Sequence, residues 1–286
     1  MQHFTKETLN VSRNRIAVFT KPWKRDPEEL GKIMRGFGVD SIELPVRDGY
    51  PVNPQNALSE LPRAVETLQA HGIGVESIAA PITEDTIRAC GKAKVPIIRV
   101  CEGIDMAIGY RASVDKIKRQ YESFFPVLEA CGVKIGLQNH CGFSVGSALG
   151  IMDAIGEYDP RLVGAVLDVA HCALDGEPEE MAIDIVWSHL CMVNLKNARR
   201  VRTNGPEVDE ATWRIEWTTA PNGFASWRKT VEALDKRGYR GPYCLSAEYS
   251  NPAGRGDLTA QDPEQEKALE ERLRVDVAHI KSILGR

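Results

Sequence analysis

Short apolar runs rich in Val, Ile and Leu alternate with longer amphipathic stretches from residue 16 to the C-terminus. The runs predict strands at 16–20, 41–44, 75–79, 97–101, 134–140, 162–168, 190–196 and 243–248. Between them, apolar residues recurring every three to four positions predict helices at 27–35, 57–71, 84–91, 114–130, 144–155, 177–187, 225–237 and 263–284. Eight strand–helix units at a mean spacing of about 30 residues suit a parallel sheet with crossover helices. With eight units and no composition break, closure into a barrel is favoured over an open doubly wound sheet. The expected fold class is α/β: a (β/α)8 TIM barrel, one domain over residues 1–286, with 1–14 as an N-terminal extension.

Helix punctuation supports this. Asp26-Pro27-Glu28-Glu29 reads as an N-cap, a first-turn proline and two acids at the positive end of the helix dipole. Gly72, Gly132 and Gly238 follow helical stretches, where a left-handed cap belongs. Two connections are long: PVRDGYPVNPQN after Leu44, and the stretch from Asn197 to about Asn222. Both leave strand C-terminal ends, the face on which barrels of this kind carry their sites.

Bulk composition narrows the partners. The chain is 43% hydrophobic, carries a net charge of −4 and has no clustered basic stripe, which argues against nucleic acid. Seven cysteines stand at wide spacing with no CxxC pair, mostly inside apolar runs, so they read as reduced core thiols. No apolar run reaches the roughly 20 residues of a membrane span, and the first 15 residues hold no signal-like stretch. The expectation is a cytoplasmic protein without a membrane partner. No GxGxxG follows the first strand, which removes a Rossmann dehydrogenase.

Candidate chemistry lies where strands end. Residues two apart share a strand face, so Gln138 pairs with His140, Asn194 with Lys196, and Ser246 with Glu248. Asp168 closes the run VGAVLD with His171 three residues on, and Glu43 sits near the end of the second strand. Converging such groups on one barrel axis costs several kcal/mol in desolvation unless a metal or substrate compensates.

In order, the runs VDSIELPVRDGYPV, LQNHCG, LDVAH, VNLKNA and GPYCLSAEYS resemble the xylose isomerase-like TIM barrel superfamily of sugar isomerases and epimerases, from Arg15 to about Asn251. The resemblance implies a carbohydrate substrate, with one divalent ion held by Glu, Asp, His and Glu on strands 5 to 8. Asp168 and Glu248 match the second and fourth of these ligands, and His171 matches a histidine that contacts substrate. The other two positions depart, with Gln138 for Glu and Asn194 for His. Asn197 likewise stands where the strand-7 motif commonly has an acid.

A metal set of Gln138, Asp168, Asn194 and Glu248 offers two charges and neutral oxygens, which suits Mg²⁺, Mn²⁺ or Ca²⁺ better than Zn²⁺. A site without metal stays open. Gln138 cannot be a base, so the expected proton-moving groups are His140 or Glu248, with Lys196 holding the developing oxyanion. Glu43, Arg47, His171, Arg199 and Trp217 are the expected substrate contacts. The reaction implied is proton abstraction next to a carbonyl in a sugar isomerase or epimerase. A lyase acting on 3-keto-glycosides by β-elimination and an idle sugar-binding barrel are the alternatives. The superfamily's apurinic endonucleases need three zinc ions and many histidines, whereas this chain has six. Oligomeric state is open, and the Trp and Arg of the long loop would also suit a homo-oligomer interface.

Overall fold

The computed structural model describes residues 14–252 and 256–286. Ten strands and nine α-helices are found among them. The strands are β1 (Ile16–Phe19), β2 (Ser41–Pro45), β3 (Gly74–Ala79), β4 (Ile97–Val100), β5 (Lys134–Gln138), β6 (Val163–Asp168), β7 (Leu190–Leu195), β8 (Asn197–Arg202), β9 (Trp213–Thr218) and β10 (Tyr243–Leu245). Strands β1 to β7 and β10 close into one parallel barrel, with β10 pairing both β7 and β1.

The helices are α1 (Pro27–Phe37), α2 (Ala57–Ala70), α3 (Glu84–Ala93), α4 (Tyr110–Cys131), α5 (Ala148–Ile155), α6 (Val169–Asp175), α7 (Glu179–Val186), α8 (Trp227–Lys236) and α9 (Pro263–Ile283). Asp26 caps α1 as its sequence implies, accepting from the Glu29 N–H at 2.9 Å. Gly132 closes α4 in the left-handed region at φ 64°, where a side chain would be strained. No helix among the described residues is long and apolar enough to cross a membrane, and all seven cysteines are free thiols.

Two main hydrophobic cores result, with a small third cluster of Ala170, Leu174 and Ala198. The larger lies between the strands and the helical ring. The smaller fills the barrel: Ala17, Phe19, Ala79, Ile97, Val166, Met192 and Cys244. The interior is tight at Gly136, where an added Cβ would stand 2.8 Å from Val166 and 2.9 Å from Ile97. Above this apolar plug, Glu43, Ser77, Arg99, Gln138, Asp168 and Asn194 form a layer that is polar and buried.

Three elements differ from the sequence expectation. The stretch after β7 is not an open loop: β8 and β9 pair antiparallel in register from Asn197–Thr218 to Arg202–Trp213, followed by a 3-10 turn at Ala220–Asn222. An additional helix, α6, starts directly at the end of β6 because the Asp168 side chain caps it. The eighth barrel strand stops at Leu245, and Ala247 adopts φ 48°, a left-handed conformation unusual for a residue with a Cβ. Of the expected N-terminal extension, residues 1–13 lie outside the described residues. Asn14 belongs to the barrel base, its amide donating to the carbonyls of Tyr239 and Gly241 at 3.2 and 2.9 Å.

Candidate active site

The polar layer is wired strand to strand. Arg99 on β4 grips both oxygens of the fully buried Glu43 on β2, at 2.9 and 2.8 Å, and Ser77 on β3 donates to Glu43 Oε1 at 3.0 Å. Burial works against the Arg99 charge, and Glu43 overcomes it and raises the guanidinium's pKa. The same guanidinium lies 4.5 Å over the Phe19 ring. Glu43 is thus the floor beneath Arg99, and it is Arg99 that lines the cavity.

Across the mouth runs an amide relay. Asn194 Nδ2 donates to Gln138 Oε1 at 3.1 Å, and Gln138 Nε2 donates to Asp168 Oδ2 at 3.0 Å. The other Asp168 oxygen accepts the N–H groups of Ala170 and His171 at the start of α6. Asn139, directly after β5, brackets the Asp168 backbone with two hydrogen bonds of 2.8 and 3.1 Å. Burial pushes the Asp168 carboxyl up to about 7, against the pull of Lys196 and those N–H groups.

Glu248 is gripped by two ammonium groups. Lys196 Nζ donates to Oε2 at 2.7 Å and Lys21 Nζ donates to Oε1. Burial alone would raise the Glu248 pKa, but the two lysines outweigh it and hold the carboxyl far below the ordinary range. Lys196 is fixed from its other side by the Trp217 ring, 3.6 Å away. Lys21 also reaches Asp257 at 3.5 Å.

The two histidines stack with centroids 4.2 Å apart and occupy different tautomers. His140 Nδ1 stands 2.9 Å from the Cys141 carbonyl, which can only accept, so in the neutral ring the free lone pair is on Nε2. His171 Nδ1 instead accepts the Cys141 N–H at 3.1 Å, so its proton is on Nε2. Burial lowers both pKa values, that of His171 to about 2 with Lys196 and His140 adding to the shift. Both rings are neutral near pH 7.

These groups surround a cavity of about 350 Å³ lined by Lys21, Arg47, Arg99, Gln138, His140, His171, Asn194, Ser246 and Glu248, among others. A second cavity of about 400 Å³ adjoins it, sharing Arg47, Arg99 and Cys101 and adding Glu102 and Gln120. Two buried atoms at the first cavity have no protein partner: Asn194 Oδ1, an acceptor, and His171 Nε2, a donor. Leaving such buried groups unmet costs about 1–3 kcal/mol each.

The structure therefore brings together His140, Lys196, Glu248, Gln138, Asp168, Asn194 and His171, with Arg47 at the rim and Trp217 as a brace behind Lys196 and His171. Arg199 stands apart: it is half exposed on β8 and pairs with Glu216 across the hairpin at 3.0 Å. Sequence reading passed over Lys21 and Arg99. The signal for Arg99 was a lone cation inside the apolar run IIRVC, and for Lys21 a cation directly after VFT at the end of the first strand.

Do these residues suit the divalent ion that the resemblance implies? Both Glu248 oxygens already accept from ammonium groups, and both Asp168 oxygens and Gln138 Oε1 accept amide N–H groups. At a separation of about 4 Å and an effective dielectric of about 20, a +2 ion and one ammonium repel by about 8 kcal/mol. The set does not fit the ion. A softer alternative, in which the ligand atoms of His140, Cys141 and His171 lie within 4.8 Å of one another, fares no better. His171 Nδ1 already accepts the Cys141 N–H and its Nε2 carries the proton, while burial raises the pKa of the Cys141 thiol.

Fold and site together define a parallel (β/α)8 barrel with a polar, substrate-sized pocket at the C-terminal ends of its strands. The sequence matches the xylose isomerase-like TIM barrel family over residues 32–275, and the chain belongs to that family. Among solved structures it is similar to the D-psicose 3-epimerase of Clostridium cellulolyticum H10 with D-tagatose, at 16% identity and a TM-score of 0.69, covering 94% of this chain and 99% of that one. It is also similar to an L-ribulose 3-epimerase, at 14% identity and a TM-score of 0.71, covering 96% and 95%. A third is a xylose isomerase-like barrel protein from Mycobacterium smegmatis in complex with magnesium, at 14% identity and a TM-score of 0.63, covering 95% and 96%. No curated protein sequence matches the chain.

Proposed function

We propose that the protein is an enzyme acting on a small carbohydrate or sugar derivative, moving a proton on the carbon beside a carbonyl, as a sugar isomerase or epimerase does. The observation that carries this is the tautomer pair at the cavity. His140 presents a neutral Nε2 lone pair as a base, and His171 presents an Nε2–H as a donor. Glu248 is a poor competitor for the proton because Lys196 and Lys21 each hold one of its oxygens and stabilise its charged form.

Asn194 and His171 would flank the bound substrate, while Arg47 and Arg99 line the boundary with the adjoining cavity. His140 would take the proton, and Lys196 would hold the oxyanion that forms on the carbonyl oxygen. A β-elimination is the second reading. It is favoured by the same pairing of a neutral base with nearby ammonium donors, which could protonate a departing hydroxyl.

The test is incubation with ketopentoses and ketohexoses, D-tagatose and D-fructose included, in deuterated water, followed by NMR. Deuterium in recovered or epimerised sugar supports the isomerase reading, and loss of water from the sugar supports elimination. His140→Ala should lower the rate by roughly 10²–10⁴-fold. Undiminished exchange in that variant would remove His140 as the base.

A further inference from the structure

We infer that Lys21 and Lys196, clamped on Glu248, stand in the place of a divalent ion, so that the protein works without one. The two ammonium groups bring the same +2 charge to the same carboxylate that a metal would use. Each has a second anchor, Lys196 on the Trp217 face and Lys21 on Asp257. They are therefore built into the site and are not idle side chains filling an empty pocket.

The remaining positions agree. Where a divalent ion wants free oxygens, Asn194 and Gln138 spend an N–H and an oxygen on a relay that ends at Asp168. That relay holds Asp168 without demanding a metal. It leaves Asn194 Oδ1 as an unpartnered oxygen at the cavity, and one neutral oxygen does not make a cation site. An ammonium also offers up to three donors and a full charge, enough to polarise a carbonyl oxygen placed beside it. This assignment rests on the proposed reaction only in giving the ammonium groups a substrate oxygen to act on.

The experiment needs no substrate for its main readouts. The purified chain is assayed for bound metal by elemental analysis, and its thermal unfolding is followed with EDTA, MgCl₂ and MnCl₂. The expected result is well under one divalent ion per chain and a melting temperature that none of the three additions moves. A chain that keeps about one ion, or that melts several degrees lower in EDTA, overturns the inference. In the opposite direction, a variant carrying Lys21→Met, Lys196→Met, Gln138→Glu and Asn194→His together should gain Mn²⁺ binding and a rise of roughly 5 °C with Mn²⁺. If that variant folds and stays indifferent to Mn²⁺, the lysines are not what excludes the ion and the inference fails. The wild-type measurements decide the matter if the variant does not fold. Where deuterium exchange is detected, it should survive dialysis against EDTA. Loss on dialysis with recovery on adding Mn²⁺ would count against the inference while leaving the carbohydrate reading in place.

Discussion

A single substitution type separates this site from the pattern it resembles: acids and a histidine replaced by amides, at Gln138, Asn194 and Asn197. Each amide does something a carboxylate could not. Gln138 both donates and accepts in the relay, whereas a glutamate there would face Asp168 with like charge. Glu43 illustrates the cost of the reverse error. It is fully buried and its charge is matched by Arg99, which is itself 6% exposed. Glu43→Gln keeps the shape but strands the guanidinium, and should lower unfolding free energy by about 3–5 kcal/mol in urea denaturation. A loss under about 1 kcal/mol would mean that Arg99 finds another anion, in which case its role lies in the cavity alone.

At the scale of elements, the β8–β9 hairpin braces the polar cluster from behind. It delivers Trp217 onto Lys196 and His171, and it is hung from Asn197. The Asn197 amide donates to the carbonyls of Ala220 and Ala225, both at 2.8 Å, while its oxygen accepts the N–H of Ala225 at 2.9 Å. Gly223 packs so closely that a Cβ there would stand 2.1 Å from Asn197 Oδ1. An aspartate cannot donate to two carbonyls. Asn197→Asp should therefore cost about 2–4 kcal/mol of stability and loosen the hairpin. Faster amide hydrogen exchange at residues 197–202 and 213–218 would report it. Exchange unchanged in that segment would show that the strand pairing holds the hairpin without the amide.

Over the whole molecule, the last helix ties the barrel shut through one buried acid. Asp276 on α9 accepts the Ala220 N–H and the Tyr249 hydroxyl, both at 2.7 Å, so it links the helical ring to the turn after the hairpin and to the segment after β10. Burial pushes its carboxyl up to about 7, against those two hydrogen bonds. A carboxyl with a raised folded pKa binds its proton more tightly folded than unfolded. Its stabilising contribution is thus present at low pH and is lost as pH rises through the folded value. The expected outcome is a melting temperature that falls between about pH 4 and pH 7, with the fall reduced in Asp276→Asn. Asp168 shifts in the same direction, so the difference between the two curves, measured by thermal unfolding, isolates Asp276. Parallel curves would show that Asp276 stays ionised throughout.

How much of this was written along the chain follows from what each signal depends on. The barrel was legible because strand and helix periodicities are local, and Asp26 at α1 and Gly132 after α4 mark boundaries by their own backbone preferences. The set of polar groups that the barrel gathers was legible too, since His140, Asp168, Asn194, Lys196 and Glu248 each break an apolar pattern at a strand end. The hairpin was not, because NARRVR lacks the alternation that WRIEWT shows, and the two find their pairing only across a ten-residue gap. Above all, sequence supplied a list of charges but not who neutralises whom. Lys21 and Glu248 are 227 positions apart, and Arg99 and Glu43 are 56 apart. Only closure of the barrel brings such groups within hydrogen-bond reach. Coulomb energy depends on that distance, so the tertiary structure alone decided that Glu248 meets the cavity paired with ammonium groups and not as a free carboxylate.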